Sequence, residues 1–319
     1  MAPGVDAAFD PMLGLLEKNG LICREVAREL ISLAPGSRLK TTSEYARLLR
    51  AGQGTVQKAF KTLEGMGAII LESRGHLGTY LLEKDLRRLW AVSGLGTVTG
   101  VMPLPDSGEF EGIATALTQL FKDAGIPLNL LHLNGARRRI EYLRSGADFV
   151  VLSRFSAERV CSQEPDLKVL LGCGANTFYA ADSLTVLVRR EAEGTIRRVG
   201  IDETSWDHAE ITRLEFDQAP VEFVPSPYHM IPDLILEGTL DAAVWRRTTR
   251  RVEAASQTLS FLPIRSDSAR RISQDLSALA VVGAKDNAAT GSLFAEVVDE
   301  RGLVRVRDEV IEGKRVPLF

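Results

Sequence analysis

Two glycines, Gly52 and Gly54, begin a segment in which Gln53, Gln57 and Lys61 recur every four residues. Residues four apart share one face of an α-helix, so these amide and ammonium groups would point in one direction. Such a row suits either the phosphates of a dinucleotide or a larger polyanion beside the helix. A dinucleotide site would need a third glycine near position 57 and a preceding buried strand, and the sequence offers neither.

An apolar stripe predicts the helix that carries these side chains. Val56, Ala59, Phe60 and Leu63 follow at spacings i, i+3, i+4 and i+7, which is typical of a helix with one buried face. The helix is expected to run from about Gln53 to Glu64.

A shorter helix is predicted in front of it, after an amphipathic helix over residues 20–33. The sequence 41-TTSE-44 is a capping box, in which Thr41 caps the helix start and Glu44 reaches back to it. This helix is predicted over Ser43–Leu49. Its expected buried residues are Tyr45, Leu48 and Leu49. The turn 50-RAG-52 joins the two short helices, which is the arrangement of a helix-turn-helix.

A β-hairpin is predicted next. Apolar strands at Ala68–Glu72 and Leu77–Leu82 flank the basic, glycine-containing tip 73-SRGH-76. A helix-turn-helix followed by such a hairpin is a winged helix, and its exposed side chains suit base edges and phosphates. The candidate DNA-contact residues are Thr42, Ser43, Gly52, Gln53, Gly54, Thr55, Gln57, Lys58, Lys61, Arg74, Gly75 and His76.

The segment LKTTSEYARLLRAGQGTVQKAFKTLEGMGAIILESRGHLGTYL resembles the DNA-binding domain of GntR-type regulators. It departs from that pattern at Ser43, Gln53 and Gln57, where GntR proteins carry DNA-contacting arginines. The resemblance implies binding to a double-stranded DNA operator as a homodimer, with an operator preference of its own. A winged helix that makes only protein contacts is the alternative.

The charge distribution favours two domains with different roles, and the cysteine content favours a reducing compartment. Residues 1–90 contain 13 basic and 10 acidic side chains, whereas the rest contain 26 and 32. The three cysteines are widely spaced, so we expect buried thiols rather than disulfides or a zinc ribbon. With no secretory signal and no apolar run long enough to span a bilayer, a cytoplasmic protein without membrane contact is expected.

The remaining chain alternates short apolar strands with amphipathic helices, which predicts mostly parallel sheets with helical crossovers. The domains are predicted at 1–82 for the winged helix, 83–96 for a linker helix and 97–319 for a two-lobed α/β domain. Lobe one is assigned to 97–178 and 262–319, and lobe two to 183–258. The chain is expected to end in two charged helices.

This connectivity resembles the type 2 periplasmic-binding-protein fold. The stretch VGIDETSWDHAEITRLEF, with VEFV and YHMIPDLILEGTLDAAVW after it, is similar to that fold's second lobe. The fold class is therefore an α+β winged helix-turn-helix domain followed by a two-lobed α/β domain. Over nearly its whole length beyond residue 20, the chain resembles the YhfZ family of transcriptional regulators.

In such folds a ligand lies between the lobes, where strand ends and helix N-termini converge. We expect a small anionic effector there, because Arg154 follows a strand end among several helix N-termini. The candidate ligand residues are Asp106, Ser107, Glu109, Asn134, Gly135, Ser153, Arg154, Phe155, Tyr179, Thr204, Ser205, Trp206, Ser226, Tyr228 and Trp245. The alternative for each of them is a helix cap or a turn residue.

No catalytic residue, metal site or cofactor is predicted. The four histidines lack metal-ligand spacing, and no nucleophile elbow is present. The sequence therefore favours a ligand-responsive transcription regulator over an enzyme. Two alternatives stay open. One is a solute-binding or biosynthetic protein with an accessory winged helix, and the other is a regulator with a vestigial cleft that a protein partner controls.

Overall fold

The computed structural model describes residues 18–192, 194–247 and 258–319. The chain divides into two compact units. The first ends at Thr97 and includes Ala124–Ile126, and the second consists of Val98–Asp123 and Pro127–Phe319. Among the described residues, no helix combines the length and the hydrophobicity required to cross a bilayer.

The first unit is a helical domain with a two-stranded hairpin. Its elements are α1 (Lys18–Ile31), α2 (Thr42–Leu48), α3 (Gln53–Gly65), β1 (Ile69–Ser73), β2 (Thr79–Lys84) and α4 (Leu86–Ser93). Helix α1 packs against α3 and α4, and β1 pairs with β2 in antiparallel orientation. A 3-10 turn at Gly75–Leu77 forms the hairpin tip, so the strands begin and end one or two residues later than predicted.

The capping box predicted before α2 is confirmed. The Glu44 amide donates to Thr41 Oγ1 at 3.2 Å, and the Thr41 amide donates to the Glu44 carboxylate at 2.7 Å. The predicted burial of Leu48 is wrong, since its side chain is 61% exposed. Helix α2 is only two turns long, and Tyr45 is its one buried residue. Leu49 is half-buried.

The second unit contains two five-stranded sheets, one in each lobe. Lobe one contains β3 (Val98–Met102), α5 (Gly108–Asp123), β4 (Leu128–His132), α6 (Ala136–Arg144), β5 (Phe149–Ser153), α7 (Arg154–Gln163) and β6 (Leu167–Gly172). Lobe two contains β7 (Leu184–Arg189), β8 (Arg198–Ile201), α8 (Trp206–Glu215), β9 (Glu222–Pro225), α9 (Ile231–Leu236), β10 (Ala242–Arg246) and β11 (Leu259–Pro263). The chain then returns to lobe one with α10 (Asp267–Ser277), β12 (Leu279–Ala284), α11 (Ala288–Glu296) and α12 (Glu300–Ile311).

The strand order is β4-β3-β5-β12-β6 in lobe one and β11-β7-β10-β8-β9 in lobe two. In each sheet one strand, β12 or β7, runs antiparallel to both of its neighbours, and the other four strands share one direction. The carboxyl ends of those four strands consequently meet at one edge of each sheet, which is where ligands bind in open α/β sheets.

Three features differ from the prediction. Helix α10, which Ser266 caps, was not predicted, because its sequence is mostly polar and contains no apolar run. Helix α11 is largely apolar rather than charged, and its Phe294 packs edge-on to Phe149 at 4.8 Å in the core of lobe one. Cys161 is half-buried, whereas Cys23 and Cys173 are buried as expected.

Candidate functional sites

The first candidate site is the exposed face of α3. The side chains of Gln53, Gln57, Lys58 and Lys61 are exposed, and Thr55 is half-buried. Gly52 caps the helix without a side chain, and Gly54 is exposed in the first turn. Of the other candidates, Ser43, Arg74, Gly75 and His76 are exposed and Thr42 is half-buried. The structure thus leaves the predicted DNA-contact residues on the surface of their unit.

The hairpin tip holds its arginine in a defined position. The Arg74 guanidinium lies 4.3 Å from the ring centre of Tyr80 and forms an ion pair with Glu72. A guanidinium stacked on an aromatic ring loses less conformational freedom when it binds a phosphate, because its side chain is already ordered. Arg74 therefore suits a phosphate contact.

The second candidate site is a cavity of about 90 Å³ between the two sheets of the second unit. Residues from the strand ends of both lobes line it. The predicted residues that line the cavity are Asp106, Asn134, Gly135, Tyr179, Ser205, Tyr228 and Trp245. Gly135 has a φ of 82°, and a Cβ on it would lie 2.6 Å from Thr204 Oγ1 of lobe two, so only glycine fits there.

The other predicted ligand residues do not line the cavity. These are Ser107, Glu109, Ser153, Arg154, Phe155, Thr204, Trp206 and Ser226. Three of them make local hydrogen bonds: Ser153 caps α7, Thr204 donates to Asp202, and Ser226 donates to the Val224 carbonyl. The Arg154 guanidinium donates to the Cys173 carbonyl and lies 3.7 Å from Asp275, so it faces away from the place predicted for the anion.

Arg139 supplies a cation in the cavity that the sequence reasoning missed. It lies in the first turns of α6, is 6% exposed, and lines the cavity. Its Nη1 donates to the Leu133 carbonyl at 2.9 Å, while its buried Nε has no hydrogen-bond partner. Within the described part of the chain it forms no ion pair. Burial lowers the pKa of this guanidinium to about 10, which still leaves it charged at neutral pH.

A second cavity arginine, Arg246, already has partners. It ends β10 of lobe two and contacts three residues of lobe one: Asp106 at 2.9 Å, Ser107 at 3.3 Å, and the Phe110 ring at 4.2 Å. The charge of Arg246 is thereby committed to joining the lobes. Its neighbour Trp245 was a predicted site residue, so the prediction from strand ends missed Arg246 by one position.

Asp207 of lobe two makes the reciprocal contact. Its Oδ1 accepts hydrogen bonds from Ser153 Oγ at 2.7 Å and Ser156 Oγ at 2.6 Å, both at the start of α7 in lobe one. Burial raises the pKa of the Asp207 carboxyl, while the two serine hydroxyls and the Arg139 charge act against that rise.

His208 is fixed in a neutral form beside the cavity. Its Nδ1 accepts from the Asp202 amide at 3.0 Å, and its Nε2 lies 3.0 Å from the Val244 carbonyl, to which it donates. Burial lowers the pKa of this imidazole to about 4. The ring therefore has a structural role and edges onto Tyr228, which stacks on Trp245 at 4.0 Å. These aromatic rings form one wall of the cavity.

Within the described residues, no group of three or more histidine, cysteine or acidic side chains is placed to hold a metal ion. The cavity combines the Arg139 guanidinium with the N-termini of α6 and α8 and with aromatic rings, which are groups that can bind a small molecule.

The fold and the sites define a class of protein: a helix-turn-helix domain followed by a two-sheet α/β domain that resembles periplasmic-binding proteins. A helix-turn-helix domain model matches residues 34–81, and a YhfZ C-terminal domain model matches residues 85–319. The chain belongs to the YhfZ family. It is 33% identical over 305 residues to the uncharacterized protein YhfZ of Escherichia coli (strain K12), covering 95% of this chain and 98% of that protein.

Solved structures agree with this assignment. The crystal structure of YhfZ from Shigella flexneri matches with a TM-score of 0.58 and 29% identity, covering 73% of this chain and 97% of that one. The alkanesulfonate-binding protein SsuA from Xanthomonas axonopodis pv. citri, bound to MOPS, matches with a TM-score of 0.50 and 13% identity, covering 69% and 75%. The second match supports the fold alone.

Proposed function

We propose that this chain is a transcription regulator that binds operator DNA as a homodimer and responds to a small anionic metabolite in the cleft. The observation that carries the proposal is the exposed α3 face in a helix-turn-helix domain, where no acidic residue precedes Glu64. A protein that reads chromosomal DNA works in the cytoplasm. The resemblance to GntR-type regulators remains a prediction.

Arg139 supports an anionic effector. A buried guanidinium that forms no ion pair is costly, because the nearby Asp207 charge only partly offsets its desolvation. A carboxylate, sulfonate or phosphate group beside Arg139 would supply that partner and two charge-assisted hydrogen bonds. The reaction chemistry of an enzyme has no comparable support in the cavity, so we propose binding without turnover.

DNA binding is tested by selecting duplexes from a random library with the full chain and titrating the best one across a salt series. Lys58, Lys61 and Arg74 would give six phosphate contacts per dimer, so the slope of log K against log salt should be about −5. Arg74→Ala should make that slope shallower by about 2 per dimer, one contact being lost in each subunit. Arg144→Ala, which removes an exposed arginine of the second unit, serves as the control. A flat salt response of the wild-type chain would reject the proposal.

The effector is tested by a thermal-shift screen of small carboxylates, sulfonates and phosphates. A ligand at 100 times its Kd should add about 2.7 kcal/mol to the free energy of unfolding. Arg139→Met should abolish the shift, whereas Arg139→Lys should keep part of it and Arg138→Met, an exposed neighbour on α6, should keep all of it. An unchanged shift in folded Arg139→Met would place the anion elsewhere.

A further inference from the structure

Gly54 is the second residue of α3, and nothing in the described chain explains why it is a glycine. Glycine makes a helix less stable than alanine does, because its backbone has more freedom to lose. The φ of Gly54 does not lie in the left-handed region, and a Cβ built on it would meet no atom within 4 Å. An alanine would fit this position within its own unit.

The surroundings of Gly54 indicate what approaches it. Gln53, Gln57, Lys58 and Lys61 border it on the exposed face of α3. None of these four side chains forms a hydrogen bond or an ion pair with the described part of the chain. Amides that can pair with base edges and ammonium groups that can pair with phosphates therefore surround a point that carries no side chain.

We propose that Gly54 is the point of closest approach between the α3 backbone and bound DNA. Without a Cβ at this position, the first turn of α3 enters the groove far enough for Gln53 and Gln57 to reach base edges. This inference rests on the proposed DNA-binding function. Gly54 is a positioning residue. Its substitution by alanine is expected to stabilise the helix and to weaken the affinity for DNA.

Gly65 offers a matched control at the other end of the same helix. It is exposed, its φ is outside the left-handed region, and a Cβ on it would also meet no atom within 4 Å. It lies eleven positions after Gly54, which is about 16 Å along the helix axis. The variants Gly54→Ala, Gly54→Leu, Gly65→Ala and Gly65→Leu are compared with the wild-type chain.

Binding is measured by fluorescence anisotropy with the duplex that the wild-type chain selects from a random library, and the melting temperature is recorded for each protein. Both alanine variants should melt at the wild-type temperature or up to about 5 °C above it. Gly54→Ala should bind at least tenfold more weakly and Gly54→Leu more weakly still, while the Gly65 variants should bind within about twofold of wild type.

Three results would decide otherwise. If folded Gly54→Ala and Gly54→Leu bind as tightly as the wild-type chain, the close approach is rejected while DNA binding stands. If the Gly65 variants lose as much affinity as the Gly54 variants, altered helix stability is the cause and the inference is again rejected. If the wild-type chain selects no duplex at all, the proposed function itself fails.

Discussion

The two lobes of the second unit should separate when Asp207 loses its carboxylate. Its Oδ1 accepts the hydroxyl hydrogens of Ser153 and Ser156 across the cleft, at 2.7 and 2.6 Å. In Asp207→Ala both hydroxyls lose that acceptor, and a buried hydroxyl without a partner costs about 1–3 kcal/mol. The substitution also removes the desolvation penalty of the buried carboxylate, which raises its pKa, and this offsets part of the cost.

The net loss for the joined arrangement should be about 2–4 kcal/mol, which lowers the ratio of joined to separated lobes by a factor on the order of 10². Asp207→Asn is the matched control, because its amide oxygen still accepts from both serines and it carries no charge. Its effect should stay below about 1 kcal/mol.

Tryptophan fluorescence in a Trp90→Phe background reports on this change. Trp206 of lobe two lies 5.7 Å from the Arg137 guanidinium and 5.9 Å from that of Arg159, both in lobe one. Separation should therefore shift the emission to longer wavelength and increase quenching by acrylamide in Asp207→Ala, but not in Asp207→Asn. Equal quenching and equal unfolding free energy in all three proteins would refute the assignment of this contact.

Two further predictions concern stability. The folded-state pKa of His208, about 4, is below the ordinary 6.5, so its contribution to stability is fully present above pH 6.5 and is lost as the pH falls towards 4. In urea unfolding, the wild-type chain should lose up to about 3 kcal/mol of unfolding free energy between pH 7 and pH 4.5 through this group. The unfolding free energy of His208→Gln should lack this loss between the same two pH values. A Cβ at Gly100 would lie 2.2 Å from the Phe149 ring, so Gly100→Ala should destabilise lobe one by about 1–3 kcal/mol. Calorimetry checks this prediction. Gly194→Ala is the control, because a Cβ there would meet no atom within 4 Å. Exposed Gly146→Ala is unsuitable as a control, because the φ of Gly146 is 115°.

Local chemistry made the first unit largely predictable. The capping box at Thr41, the apolar stripe of α3 and the glycine-containing hairpin tip each depend on residues within a few positions of one another. Leu48 departs from the pattern because burial depends on which neighbouring element covers a residue, and periodicity cannot show that for a helix of two turns.

The residues that line the cavity of the second unit were predictable only in part. Asp106, Asn134 and Tyr228 follow from the rule that ligands bind beyond strand ends, and the rule needs only the order of elements. Arg154 follows the same rule, yet its guanidinium turns towards Cys173 and Asp275, because residues distant in sequence lie beside it.

By itself the amino-acid sequence determined a helix-turn-helix with glutamines on the exposed face of its second helix and an α/β domain of alternating elements, because caps, periodicity and turns are local. The tertiary structure alone decided which charges remain available in the cleft. Arg246 is paired with Asp106 and Asp207 with two serines of the other lobe, so Arg139 is left as the buried cation without an ion-pair partner in the described part of the chain. That outcome depends on which side chains two lobes bring together, and no local pattern records it.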